Sequence, residues 1–172
     1  MKTQTLDKLF IDQLEDMYSS EIQILDSLPK LIRLASFPKL KEALSNHLKE
    51  TENQVERIEK ILEILDIPIK EKHCEAMEGI LKEGGELVKN KNKSAALDAA
   101  IISAAQKVEH YEIAAYGSVR TFADMLGYKD AAQLLQKTLE EEKAADQKLT
   151  ELAERTVNMG AAETEDVRKP TM

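Results

Sequence analysis

Residues 66–93 read DIPIKEKHCEAMEGILKEGGELVKNKNK, and here the helical pattern that runs through the rest of the chain lapses. Asp66-Ile67-Pro68 stops the preceding pattern, because proline has no N–H to donate and biases the residue before it away from the α region. His73, Cys74 and three of the six glycines follow. Met77, Ile80/Leu81 and Leu87/Val88 keep helical spacing over a short span, with an interruption expected at Gly84-Gly85. Asn90 to Lys93 is a polar connection.

Two long helical stretches flank this segment on each side. The first, about Thr5 to Ala35, has the stripe Leu6, Leu9/Phe10, Leu14, Met17, Ile24/Leu25, Leu28, Leu31/Ile32, with a kink or break expected at Pro29. The second, about Lys39 to Leu65, has Leu40, Leu44, His47/Leu48, Thr51, Val55, Ile58, Ile61/Leu62 and Leu65. Ser94 is placed to cap a third, about Ala95 to Leu126, and Gly127 to stop it. The fourth spans about Asp130 to Asn158. Short connections at Ser36-Phe37-Pro38 and at Gly127 make each neighbouring pair antiparallel, and nearly 30 residues separate the pairs. Two αα-hairpins joined by one long crossover carrying a short helix form an all-α, ferritin-like four-helix bundle. Residues 1–158 are expected to form the bundle and residues 159–172 a polar, flexible tail.

Composition agrees. With 172 residues the chain suits one domain with a sizeable core. Six Gly, four Pro and 4% aromatic residues are too few for a β-sandwich or barrel. No apolar run is long enough to span a membrane, and MKTQTLDKLF has no signal-peptide core. One Cys excludes an internal disulfide framework and fits a cytoplasmic location. Net charge is −8, which disfavours nucleic acid as a partner.

Some of the acids stand where apolar residues belong. At about 100° per residue, Met17, Leu14, Leu25 and Leu28 lie close around Glu21 on the first helix. Ala105, Val108, Tyr116 and Val119 bracket Glu112, and Leu135, Thr138, Leu149 and Asp146 bracket Glu142. On the second helix His47, Glu50 and Gln54 share the stripe's edge. Depth matches as well: Glu21 lies 16 residues before Phe37 and Glu50 13 after it, while Glu112 lies 16 before Tyr128 and Glu142 14 after it. Offsets of 91 and 92 residues relate the two halves and pair Tyr18 with Glu109 and Gln54 with Asp146. A bundle interior cannot hold four carboxylates without protonating them or binding cations. Two divalent ions offset about four negative charges, and a Glu-rich set with histidine suits iron or manganese. Candidate metal ligands are Glu21, His47, Glu50, Glu109, Glu112, Glu142 and Asp146. For Glu109, Asp146 and His47 the choice between ligand and flanking group stays open. Tyr18 and Gln54 are expected as hydrogen-bonding supports. If so, part of the net −8 belongs to the metal-free state.

Five segments carry a family resemblance: Asp16-Met-Tyr-Ser-Ser-Glu21-Ile-Gln, His47-Leu-Lys-Glu50-Thr-Glu-Asn-Gln54-Val-Glu-Arg57, Cys74-Glu-Ala-Met-Glu-Gly79, Val108-Glu-His-Tyr-Glu112-Ile-Ala-Ala-Tyr-Gly117 and Glu140-Glu-Glu-Lys-Ala-Ala-Asp146. In order over roughly residues 5–155, they resemble the YciE/YciF family of bacterial ferritin-like stress proteins. The resemblance implies a helical homodimer with a di-metal centre and a link to stress response, and it implies no particular reaction. The expected chemistry is binding of two iron or manganese ions per chain and oxidation of Fe(II) by dioxygen or peroxide. The alternative is a non-catalytic stress-induced bundle or scaffold with a vestigial site.

Three other features read more plainly. His110 lies about 160° from Glu112, among Ala99, Ser103, Ala114, Gly117 and Thr121, a small uncharged face expected to be covered by the crossover helix or a partner subunit. His73-Cys74 reads as a packed thiol beside a histidine. In Glu140-Glu141-Glu142 only the third is expected to point inward.

Overall fold

The computed structural model describes residues 5–70, 72–89 and 92–166. Two long helices, α1 (Leu6–Leu34) and α2 (Pro38–Ile64), form the first hairpin; α4 (Ala95–Met125) and α5 (Lys129–Leu152) form the second. Between them α3 (Glu75–Val88) lies against α4 and α1, and α2 faces α5 while α1 faces α4. The chain is an all-α ferritin-like bundle with a short helix in its crossover.

The ends of the helices follow from their residues. Thr5 Oγ1 accepts from the Lys8 N–H and Ser94 Oγ from the Leu97 N–H, so each supplies a partner to an otherwise orphan donor. Pro38 occupies the first turn of α2, where its missing N–H costs nothing. Gly127 turns the second hairpin with φ of 83°, a conformation that suits glycine.

Three expectations are revised. Of the kink or break expected at Pro29, the break does not occur: helix α1 runs unbroken through it, because Ile24 and Leu28 are buried around the lost backbone bond and their packing outweighs it. Helix α3 runs unbroken through Gly84-Gly85. A Cβ on Gly84 would lie 3.1 Å from the Ala104 Cβ, so the glycine sets how closely α3 seats on α4. Helical structure also continues past Gly160, through a π-helical turn at Ala153–Val157 into α6 (Asn158–Asp166). There the buried Ala153 and Val157 join the core beside the start of α4. The remainder of the expected tail, residues 167–172, lies outside the described residues.

Each long helix crosses two apolar cores separated by one polar layer. Along α1, Phe10, Leu14 and Met17 belong to one core and Ile24 and Leu28 to the other, with Glu21 between them. Along α2, Leu40 and Leu44 precede His47 and Gln54, and Ile58 and Ile61 follow. Along α4, Ile101 and Val108 precede Glu109 and Glu112, and Tyr116 and Val119 follow. Along α5, Leu135 and Leu139 precede Glu142, and Leu149 and Leu152 follow. The apolar cores fix the register of the helices, so the polar residues are held at one level by packing and not by mutual attraction.

The first hairpin turn is fastened to α4 by one acid. Buried Asp98 accepts from Ser36 N (2.7 Å), Ser36 Oγ (2.5 Å) and Phe37 N (3.0 Å). It also sits in the first turn of α4, where the helix dipole favours negative charge. Asp98→Ala strips partners from two backbone donors and is expected to cost about 3 kcal/mol, read as a lowered urea midpoint. An unchanged midpoint would show that water replaces the carboxylate at the turn.

Candidate metal centre

The polar layer brings together Glu21 from α1, His47 from α2, Glu109 and Glu112 from α4, and Glu142 from α5, all buried. Ligand atoms of His47, Glu109, Glu112 and Glu142 lie within 4.8 Å of one another. His47 Nε2 is 3.5 Å from Glu109 Oε1 and 4.0 Å from Glu142 Oε2. Glu21 adjoins the group, since the charges of Glu142 and His47 act on it. Glu109 and Glu112 occupy successive turns of α4, and each of the other three helices contributes one residue at the same depth, as the register of the flanking cores dictates.

Electrostatically the layer is unsatisfied. Burial, and after it the charge of Glu142, push Glu21 up to about 8. Glu112 stands well above the ordinary carboxylate range through burial and then the charges of Glu21, Glu142 and Glu109. Burial also lifts Glu109 well above that range, although His47 opposes it. Burial pulls His47 down, but Glu109 and the other acids around it outweigh burial and carry it up to about 10. Both ring nitrogens of His47, both oxygens of Glu112, and one oxygen each of Glu21, Glu109 and Glu142 are buried with no hydrogen-bond partner. Buried polar atoms without partners are costly and rare in folded proteins.

Supporting groups hold one oxygen each of Glu21 and Glu142. Tyr116 donates its hydroxyl to Glu21 Oε1, and Gln54 Nε2 donates to Glu142 Oε1. Gln54 Nε2 also reaches Glu141 Oε2 at 3.2 Å. Arg57 pairs in bidentate fashion with Glu141, Nη1 to Oε2 at 2.8 Å and Nη2 to Oε1 at 3.1 Å. Glu141 is therefore turned partly inward, contrary to expectation, because buried Arg57 draws it in. Tyr116 and Arg57 were not singled out as site residues in the sequence. Their spacing held a signal, since Tyr116 lies four residues after Glu112 and Arg57 three after Gln54, each on the same helix face.

The other candidates lie elsewhere. Glu50 is at the rim, its side chain 45% exposed and 3.7 Å from His47 Nδ1. Asp146 turns to α4, where it accepts from Gln106 Nε2 at 3.0 Å and lies 3.3 Å from His110 Nδ1. Tyr18 donates to Glu59 at 3.0 Å and does not support the layer. Cys74 is buried with its sulfur 3.1 Å from the Tyr111 hydroxyl, and His73 is exposed beside Glu78. A Cβ on Gly117 would meet nothing within 4 Å, so the crossover helix does not cover that part of the α4 face.

Carboxylates from three helices and an imidazole from the fourth, aimed into one buried layer, define a ferritin-like carboxylate bundle whose His/Glu group can hold a metal ion. The chain belongs to the family described as a domain of unknown function, DUF892, whose model matches residues 5–162. It is 49% identical over 162 residues to protein YciF of Escherichia coli K12, covering 94% of this chain and 98% of that one. The crystal structure of that E. coli protein, called a stress protein, matches with a TM-score of 0.86 over 91% of this chain and 99% of its own. YcfI of Rhodopseudomonas palustris matches with a TM-score of 0.83 at 40% identity, over 87% of this chain and 95% of its own. A protein from Xanthomonas campestris, 20% identical with a TM-score of 0.74 over 94% and 99%, shares the fold. No described helix is long and apolar enough to cross a membrane.

Proposed function

We propose that this protein binds two divalent iron or manganese ions per chain and oxidises Fe(II) with dioxygen or peroxide, as part of a stress response. The observation that carries this is the set of partnerless buried ligand atoms on Glu21, His47, Glu109, Glu112 and Glu142. Oxygen donors with one imidazole suit iron and manganese, and four buried glutamates match the charge of two divalent ions. The residues present therefore fit the metal pair.

When bound, two redox-active ions supply the electron pair that dioxygen or peroxide takes up. The chain does the rest. Tyr116 and Gln54 each fix one oxygen of Glu21 and Glu142 and leave the other free, so the ligands are oriented in advance. The apolar cores on both sides keep bulk water from the layer and strengthen every charge interaction within it. Protons held on the raised carboxylates leave when cations enter. The link to stress rests on the description of the E. coli relative.

The proposed assembly is a homodimer, supported by the exposed small residues Ser103, Ala114, Ser118 and Thr121 on the α4 face around Gly117. Gly117→Lys is expected to halve the mass measured by light scattering, and an unchanged mass would move the interface elsewhere.

Anaerobic Fe(II) titration followed by oxygen tests the central proposal. Saturation near two ions per chain, then an absorbance change on oxygen that Glu112→Ala lacks, is the expected result. Absence of saturable uptake would leave a helical scaffold with a vestigial site.

A further inference from the structure

The polar layer is closed on most sides. The two apolar cores seal it along the bundle axis, and α3 lies over α1 and α4. Between α2 and α5, however, a cavity of about 380 Å³ reaches it. His47 and Glu109 line this cavity while remaining 5% and 2% exposed, so they form its inner end. Both ring nitrogens of His47 and Oε2 of Glu109 lack hydrogen-bond partners there. Glu50 lines it too, with its side chain 45% exposed and Oε2 3.7 Å from His47 Nδ1.

We propose that this cavity is the port by which hydrated divalent cations reach the buried layer, with Glu50 as the transfer ligand that passes them to His47 and Glu109. The proposal rests on the two-ion function above and adds its route. Six waters occupy roughly 180 Å³ at their liquid volume, so the cavity admits an ion with its shell. In the layer the ligand atoms of His47, Glu109, Glu112 and Glu142 lie within 4.8 Å of one another, so an ion that enters exchanges water for these oxygen and nitrogen donors. Glu50 stands at that point: it touches solvent on one side and His47 on the other. Glu42, exposed and without an ion-pair partner among the described residues, adds negative potential at the mouth. Lys39 and Lys148 also line the cavity at exposed positions and oppose entry, and Glu141 on its wall is held by Arg57, so Glu50 is the acid beside His47 that makes passage favourable.

Anaerobic stopped-flow loading with Co(II), followed by its visible absorbance, tests the route in the full chain. Glu50→Gln is expected to slow loading about tenfold while the final Co(II) per chain stays at the wild-type value. Ala144→Trp, an exposed change on the cavity wall, is expected to slow loading in the same way. Glu140→Gln, an exposed charge change on α5 outside the cavity, is expected to load at the wild-type rate. Wild-type loading in Glu50→Gln or Ala144→Trp overturns the port. Loss of bound Co(II) in Glu50→Gln overturns the transfer role and makes Glu50 a resident ligand. A wild-type chain that takes up no Co(II) instead overturns the two-ion function itself.

Discussion

Metal-free Glu112→Met protein is expected to melt about 4–8 °C above the metal-free parent, and to gain no further stability from added Mn(II). Glu112 is fully buried and neither of its oxygens has a hydrogen-bond partner. Such a group lowers stability whether it stays charged or takes up a proton. Replacing a buried ion pair by apolar side chains of similar volume is often neutral or stabilising by about 1–4 kcal/mol, and the same desolvation argument applies to Glu112, whose removal breaks no hydrogen bond. Methionine is unbranched, close to glutamate in length, and adapts to irregular space beside Glu21 and Tyr116. At about 2 kcal/mol, a chain of this size shifts by roughly 2–4 °C per kcal/mol. The parent should behave oppositely on loading, since a site held at one hundred times its Kd adds about 2.7 kcal/mol. Calorimetry of both proteins in chelator and in Mn(II) gives the four numbers needed. A metal-free variant that melts below the parent would show that Glu112 contributes to the fold, and that the layer is structural.

The bundle was legible because its cause is periodic. Apolar residues recur at helical spacing over four long stretches, and the length of residues 66–93 sets the connectivity whatever those residues do in detail. The inward glutamates were legible for the same reason, since Glu21, Glu112 and Glu142 sit mid-stripe and any helix that buries the stripe buries them. Residues at the stripe's edge were not. Asp146 lies one turn beyond Glu142, and the drift of a helical turn carries it out to Gln106 and His110 on α4. Glu50 drifts likewise from the level of His47 to the rim. The relation between the halves holds in position and fails in chemistry: Gln54 supports the layer, whereas Asp146, its counterpart, which the sequence left open as ligand or flanking group, turns to Gln106 and His110. Groups that reach the layer through long or aromatic side chains were hidden: Tyr116 reads as apolar filling, and Arg57 reads as a surface cation until Glu141 is found beside it. At Pro29 and Gly84-Gly85 the local breaking tendency was real, but the buried contacts around each position outweigh it.

The metal-free protein should lose stability steadily as pH rises from about 5 to about 9, and metal should reverse that trend. Glu21 has a folded-state pKa of about 8 against an ordinary 4.5, so the folded chain holds a proton that the unfolded chain has released. The stability from that group is fully present below 4.5 and is lost as pH climbs through about 8. His47 moves in the same sense, from 6.5 to about 10, and its contribution is full below 6.5 and lost through about 10. Glu109 and Glu112 are raised as well, which extends the decline. Each extra proton held by the folded state contributes a slope of at most about 1.4 kcal/mol per pH unit. Cations require these same atoms without their protons, so Mn(II) affinity should increase over the window in which metal-free stability declines. Urea midpoints at one-unit pH steps, with chelator and with saturating Mn(II), separate the two curves. A metal-free curve that is flat or rising from pH 5 to 9 would mean that the layer holds no excess protons, and that its carboxylates are ionised and paired in the absence of metal.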